Sequence, residues 1–372
     1  MSMGPLRIAF VAPSLGILGG QAVQADRLLR AWHADPDVEA YLVPINPVPP
    51  RPLRFATRVK YLRTVVNEAT YLPLLVRELA RADVVHVFSA SYSSFLLAPL
   101  PAVLVARLLG RPIVINYRSG QAPDHLRRSA IARSTLASAE LNVVPSSFLV
   151  DVFRTFGIDA TIIPNIVDLK RFRFRERDVL RPRLVSTRNF ESLYNVETTL
   201  RAFRIVKNRW PDATLTLIGG GPNEAALRSL AAQLELRDVI FAGRLRPDEM
   251  AGAYADNDIY VQTPDIDNMP TSVLEAFASG LPVVSTRAGG VPSILTDGRH
   301  GLLAPLGDHE AVAMQLLRLL EAPRFALNLS RAAFASCQKC TWGTVRGQWL
   351  DAYRGAIEAK AATSGALRMR AS

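Results

Sequence analysis

The feature that most restricts this chain is the regular return of short apolar runs that stop at glycine or small polar residues and are followed by helical spacing. In the first half such runs lie at residues 8–11, 40–43, 84–88, 112–117, 141–144 and 161–163. A second series follows at 184–186, 213–218, 239–241, 258–262, 282–285 and 301–304. Helical patterns separate many of them, as at 21–33, 147–156, 195–210 and from 224 onward, and the chain closes with helices from His309, the last an amphipathic stretch at 341–360. Strands that alternate with helices at this spacing form a parallel sheet covered on both faces. Between the two series, residues 167–183 are rich in charge and lack either period. The expected architecture is therefore α/β with two consecutive doubly wound halves: 1–167, a linker at 168–183, and 184–341. Ligands of such folds sit beyond the carboxyl ends of the strands, so with two facing domains the expected site is the cleft between them.

Composition agrees with this division. A chain of 372 residues is long for one core, and 49% hydrophobic with 21% charged residues is a globular balance. The start of the chain goes directly into a buried-strand pattern without a cleavage site, which points to a cytoplasmic protein. The longest apolar run, 95–109, is broken by Pro99, Pro101 and Arg107 and is too short to span a bilayer. A net charge of +11 calls for an anionic partner. Without zinc-finger or RNP patterns, nucleic acid is not expected. A phosphorylated substrate or an anionic membrane surface is, because basic residues thicken at Arg51, Arg54, Arg58, Lys60 and Arg63, and again at 170–175. The single C-x-x-C, Cys337 to Cys340, has no second pair or histidine pair beside it. It reads as a reduced pair near a helix end, and no metal is expected.

Residues 263–280 hold the densest candidate chemistry. Pro264 stops a strand, Asn268 is placed to cap a helix, and Pro270 suits the first turn because it has no N–H to leave unpaired. Val273, Leu274, Phe277 and Ala278 make an apolar stripe, and Gly280 ends the helix. Asp267 and Glu275 bracket the helix start. Two readings stand side by side: a capped helix with solvated acids, or a helix N-terminus that takes an anion beside carboxylates that take sugar hydroxyls. Gly19-Gly20, at the head of the first helix, lets backbone approach a ligand, but the surrounding loop is not the dinucleotide fingerprint.

With these motifs in order the chain resembles the retaining glycosyltransferases of family 4, which have the GT-B fold. The residues that carry the resemblance are Gly19-Gly20, Asn165 to Asp168, Gly219 to Pro222, and the run Val239 to Arg244. They continue through Asp267-x7-Glu275, Ala276-x-Ala278-x-Gly280, Ala288 to Pro292, and Gly301 to Leu303. The resemblance covers nearly the whole chain. It implies that the first half binds an acceptor, a glycan or a lipid-linked one, that the second half binds a UDP- or GDP-sugar, and that helix 342–372 returns to the first half. It implies a metal-free transfer. Glu275 would bind ribose hydroxyls, and Asp267 would hold sugar hydroxyls or face the anomeric carbon. Arg188 would stabilise the diphosphate. Gly219, and Gly243 with Arg244 after Ala242, would lie along the nucleotide. Asn268, Met269, Pro270 and Thr271 would present the start of the helix.

Three departures from the family pattern stand out. Position 267 is Asp where glutamate is usual. Tyr194 stands where lysine is expected, with Arg287 or Arg244 as substitutes. Arg118 replaces a histidine near the sugar, and arginine is no base at neutral pH. These motivate an alternative, a catalytically silent nucleotide-sugar- or glycan-binding member. An epimerase or a phosphorylase on the same scaffold is a third reading. Elsewhere, His86 reads as a core histidine, His125 as either a site or a surface residue on an acceptor loop at 118–128, and Asp124 as an acceptor-side base. Glu191 is placed to pair with Arg188, and Trp342 and Trp349 share one helix face as packing residues.

Overall fold

The computed structural model describes residues 4–16, 19–33, 35–48 and 60–371. Arg51, Arg54 and Arg58 of the first basic cluster lie outside these residues. Within them the chain forms two compact units, Met1–Pro164 with Arg346–Ser372, and Asn165–Val345.

The first unit runs β1 (Leu6–Ala12), α1 (Gly20–Trp32), β2 (Val38–Pro44), α2 (Lys60–Leu79), β3 (Val84–Ser89), α3 (Ser93–Leu97), α4 (Pro99–Leu108) and β4 (Ile113–Tyr117). It continues with α5 (Ala122–Arg128), α6 (Ala130–Ala137), β5 (Leu141–Val144), α7 (Ser147–Thr155) and β6 (Thr161–Ile162). Its sheet has the order β2-β1-β3-β4-β5-β6, every pair parallel. β3 and β4 are buried along their whole length, which is why they read as largely apolar runs, with His86 and Asn116 the buried polar exceptions beside Ser89. One face of the sheet carries Ala9, Val11, Val85, Val87 and Ile115 against Tyr71, Leu75, Phe95 and Ala102.

The other face is built around His86. Its ring lies 4.6 Å from Trp349 and is stacked at 5.0 Å on Phe88. Nδ1 is 2.9 Å from the Tyr353 hydroxyl, and Asn116 Nδ2 donates to Nε2 at 3.1 Å. Burial holds this imidazole neutral, its pKa well below the ordinary value, with Arg118 adding to the push. Trp349 and Tyr353 belong to the last helix, α15 (Trp342–Ala371). Arg346 fastens that helix to Asp35 at 2.7 Å and Asp37 at 2.5 Å, and Lys360 meets Glu140 at 3.1 Å.

The second unit runs β7 (Arg183–Ser186), α8 (Val196–Arg209), β8 (Thr214–Ile218), α9 (Glu224–Gln233), β9 (Val239–Gly243), α10 (Met250–Asp256) and β10 (Ile259–Val261). Then come α11 (Thr271–Ala278), β11 (Val283–Thr286), α12 (Val291–Ile294), β12 (Leu302–Ala304), α13 (His309–Glu321) and α14 (Pro323–Cys337). The order β12-β11-β10-β7-β8-β9 is that of a dinucleotide-binding sheet, again all parallel. Residues 168–183 pack within this unit. Phe172 is buried, and Arg177 donates to the carbonyls of Asn257 and Ser279 at 2.9 and 2.8 Å. Asp258 accepts from Arg175, Arg177 and Arg181 at 2.7, 3.3 and 2.8 Å. Cys337 and Cys340 are buried free thiols, which burial pushes up to about 12 and about 11.

Several readings from sequence are corrected. Residues 118–128 are not a loop throughout, because α5 takes Ala122–Arg128 with Pro123 in its first turn, and Ser129 Oγ then caps α6 by accepting from Ala132 N at 3.1 Å. Lys60 and Arg63, named above only as part of a basic cluster, stand in the first turn of a 20-residue helix. His125 is neither exposed nor in a loop. It is buried in α5, its Nδ1 2.9 Å from the Tyr117 hydroxyl, which in turn lies 2.8 Å from Ser91 Oγ.

Candidate active site

A doubly wound sheet opens at the point where strand order reverses, because the loops after the two strands there run in opposite directions. In the second sheet that point lies between β7 and β10, which pair directly. The loop after β7 carries Arg188 and the loop after β10 carries Asp267. They meet: Arg188 Nη2 to Asp267 Oδ2 is 2.7 Å, and Arg188 Nη1 donates to Ser272 Oγ, in the first turn of α11, at 3.2 Å. Tyr194 lies under the guanidinium, 4.0 Å from ring centroid to Cζ. Both charged side chains are about nine-tenths buried. Burial pushes the Asp267 carboxyl upward and the Arg188 charge pulls it back. Burial also works against the charge of Arg188, but Asp267 and its tyrosine neighbours outweigh it and the net direction is up. Glu191 accepts from Asn189 at 3.3 Å, not from Arg188 as its sequence proximity suggested.

The glycine segment after β8 is fitted to the same loop. A Cβ at Gly219, where φ is +154°, would stand 2.1 Å from the Arg188 carbonyl oxygen, and one at Gly221 2.5 Å from that of Phe190. Only glycine lets these two backbones lie together. Gly219 N donates to Gly243 O at 2.9 Å, and Gly243 itself turns at φ +70°. Arg244, which follows, reaches back to Gly220 O at 3.3 Å. Arg287 pairs with Asp297 at 2.5 Å. Of the two arginines suggested in place of lysine, Arg244 is the one on the glycine segment.

α11 does not start as expected. Its N-cap is Pro270, and Asn268 is not the capping residue. Proline takes that place because its φ is already fixed at −65° and the chain turns from extended to helical there. Asn268 is instead buried beneath Gly290, whose Cβ would fall 2.6 Å from Asn268 Oδ1, while Gly290 N donates to Asp267 O at 3.2 Å. The Gly289-Gly290 turn thus braces the loop that presents Asp267. Met269 is buried, its carbonyl taking Asn165 Nδ2 at 2.6 Å. Thr271 opens the helix, where the first N–H groups have no partner within it.

Glu275 sits one turn further on, buried, and accepts from the Tyr254 hydroxyl at 2.9 Å. Tyr254 also meets Thr187 Oγ1 at 2.9 Å, next to Arg188. Tyr254 and Thr187 thereby tie the two acids' surroundings together, and neither was singled out in sequence. A tyrosine on the α10 face toward the sheet gives no sequence signal beyond core packing.

In the first unit the corresponding reversal lies between β1 and β3. Gly19 and Gly20 stand at the head of α1 after β1, with open space where a Cβ would be at either. Gln21 Nε2 donates to the carbonyl of Ser89, the last residue of β3, at 3.1 Å. Arg118, at the end of β4, donates to Asn116 Oδ1 at 3.1 Å and lies 5.4 Å from the Phe88 ring; burial lowers it to about 9, which leaves it a cation at neutral pH. Asp124 is held by the Tyr92 hydroxyl at 2.7 Å, Arg127 at 2.9 Å and Arg128 at 2.8 Å, which keeps its pKa low. Such a carboxylate is a poor base.

Two family models tile the chain. Glycosyltransferase Family 4 matches residues 18–171, and Glycosyl transferases group 1 matches residues 181–322. The chain belongs to glycosyltransferase family 4. Among its relatives this family 4 chain is 29% identical over 309 residues to a sulfoquinovosyl transferase of Arabidopsis thaliana, covering 76% of the chain and 59% of that protein. It is 28% identical over 284 residues to a D-inositol 3-phosphate glycosyltransferase of Saccharomonospora viridis, covering 70% and 66%. The chain therefore spans about six tenths of the first relative. Among solved structures, Anabaena HepE in complex with UDP and glucose superposes with a TM-score of 0.72 at 17% identity, covering 93% of this chain and 99% of that one. A sucrose-phosphate synthase from Thermosynechococcus elongatus gives 0.72 at 19% identity, covering 95% and 100%. The fold is GT-B.

Proposed function

We propose that this chain is a retaining glycosyltransferase that moves a sugar from a UDP- or GDP-sugar to a hydroxyl of a glycan or lipid-linked acceptor, in the cytoplasm at an anionic membrane face, without a metal. One observation carries the reading. Arg188, Asp267 and the start of α11 converge where the second sheet reverses its order, with the glycine segment locked against the Arg188 loop. That is the arrangement a nucleoside diphosphate needs. In the transfer the bond between the anomeric carbon and the diphosphate oxygen breaks, its electron pair leaves with the diphosphate, and the acceptor oxygen takes its place on the same face while its hydroxyl proton passes to the departing diphosphate oxygen. The growing charge falls to Arg188 and the free N–H groups of α11. Glu275 takes the ribose hydroxyls, and Asp267 the sugar. The Anabaena relative's complexes with UDP and UDP-glucose and the transferase names of the other relatives support this.

The experiment is release of nucleoside diphosphate from UDP- and GDP-sugars with candidate acceptors, comparing the wild type with Glu275→Ala and Glu275→Gln. Turnover that falls at least about a hundredfold in the alanine variant supports the assignment; full activity in that variant removes it.

The silent-binder reading has one observation in its favour. Arg188 is already neutralised by Asp267, and Tyr194 occupies the place of a second cation. It predicts nucleotide binding with no turnover in the wild type, and turnover restored by Tyr194→Lys.

A further inference from the structure

Beneath the Arg188–Asp267 pair lies a buried set of hydroxyls and one amide that the transfer itself does not use. Tyr254 on α10, Tyr260 on β10 and Gln262 just after β10 are all fully buried. Packing fixes the Tyr254 ring, edge-on to Phe172 at 5.7 Å and tilted against Tyr260 at 5.9 Å. A buried tyrosine needs one partner for its hydroxyl, and a backbone carbonyl, that of Ser272, lies 3.3 Å away. Glu275 Oε2 is nearer, at 2.9 Å, and a charged acceptor makes the stronger bond. The hydroxyl therefore serves the acid.

The direction of each proton follows from the partners. Gln262 Nε2 donates to Ser285 Oγ at 3.1 Å, which turns its amide oxygen toward Tyr260 and Ser272. That oxygen can only accept, so the Tyr260 hydroxyl at 3.1 Å and Ser272 Oγ at 3.4 Å both give it their protons. Burial, and after it the Glu275 charge, raises the Tyr254 pKa well above its ordinary value, so this proton stays on the tyrosine. The Tyr254 proton goes to Glu275, and the 2.9 Å contact with Thr187 Oγ1 is then made by the threonine's proton. The order is Thr187 to Tyr254 to Glu275, and it begins one residue from Arg188. A glutamate carboxylate turns broadly about its last bond. A donor at 2.9 Å on one oxygen, carried by a ring that packing holds still, sets the plane of the group.

We propose that Tyr254, held by Thr187, is the positioning residue that aims Glu275 at the ribose of the nucleotide and so sets a preference for ribose over 2′-deoxyribose. This rests on the ribose role given to Glu275 in the function proposed above and names what makes that contact selective. A carboxylate fixed in one plane takes both neighbouring hydroxyls and loses binding when one is missing. A carboxylate that turns settles on whichever hydroxyl remains.

Calorimetric titration with UDP, GDP and their 2′-deoxy forms tests it, in the wild type, Tyr254→Phe, Thr187→Val, Thr187→Ser and Glu275→Ala. The wild type should bind its ribonucleotide at least about tenfold more tightly than the deoxy form. Tyr254→Phe keeps the ring and its packing. It should bring the ratio to about threefold or less by weakening the ribonucleotide, with the deoxy form within about twofold of wild type. Thr187→Val should lower the ratio in the same sense, and Thr187→Ser, which keeps the hydroxyl, should retain it. If Tyr254→Phe does not fold, the two threonine variants decide by the same ratio. A wild-type ratio in Tyr254→Phe and Thr187→Val overturns the proposal. So does an equal loss of ribo- and deoxynucleotide, which is what a merely structural role gives. If Glu275→Ala removes the preference while Tyr254→Phe keeps it, the ribose role of Glu275 stands and this proposal alone falls. If the wild type binds no nucleotide, or its preference persists in Glu275→Ala, the two fall together.

Discussion

Single atoms decide the state of the second unit's glycine segment. Gly219→Ala would drive a methyl into the Arg188 carbonyl at a backbone angle that only glycine adopts freely. It should cost about 2 kcal/mol or more in unfolding free energy and displace the Arg188 loop. Gly243→Ala is the control: its φ is also positive, but nothing lies within 4 Å of the new methyl, so it should cost about 1 kcal/mol. Chemical denaturation of both variants measures the difference. Titration makes a second prediction at this scale. Burial lowers the pKa of His86 and of His125, so the folded protein holds both neutral while the unfolded chain binds protons from about pH 6.5. The stability this provides is complete above that pH and declines as pH falls from there toward the folded-state values. Melting temperature should drop between about pH 6.5 and 5, and less so in His86→Phe. In sequence, Asp267 and Glu275 were visible because the family motif fixes their spacing. Arg188, which pairs with Asp267, was visible for the same reason, but the partners of Glu275 were not. Tyr254 and Thr187 join Glu275 to the Arg188 loop from other elements, and no local pattern encodes a contact across 21 residues.

Elements were legible in proportion to how completely the sheet buries them. β3, β4 and β11 are buried throughout and were found as apolar runs within a residue or two of their ends. α2 and α5 were missed for the opposite reason: both carry a proline and much charge, which imitate a loop, while burial of one face makes them helices. The 168–183 stretch also read as a loose connection. Its arginines instead close on β10 through Asp258, whose pKa the arginines draw down although burial pushes the other way. Asp258→Asn would leave Arg177, 4% exposed, without its carboxylate, and should cost about 3 kcal/mol. A loss in thermal unfolding confined to the second unit would bear this out; no loss would show that the carbonyls of Asn257 and Ser279 suffice.

At the scale of the molecule, the chain's last helix completes a core formed at its beginning. Trp349 is 1% exposed and packs on His86 and Tyr353. Trp349→Ala should therefore destabilise the first unit by about 3 kcal/mol or more, measurable as an early transition in calorimetry. The two parallel sheets have different strand orders and each opens at its own reversal, so in the function proposed each unit would serve one substrate.

The most direct test of that function is calorimetric titration of the wild type and Glu275→Ala with UDP and GDP. The account predicts that one of the two nucleotides binds the wild type at one site and binds the folded variant at least about tenfold more weakly. Failure of both to bind the wild type, or equal affinity in the variant, would contradict it.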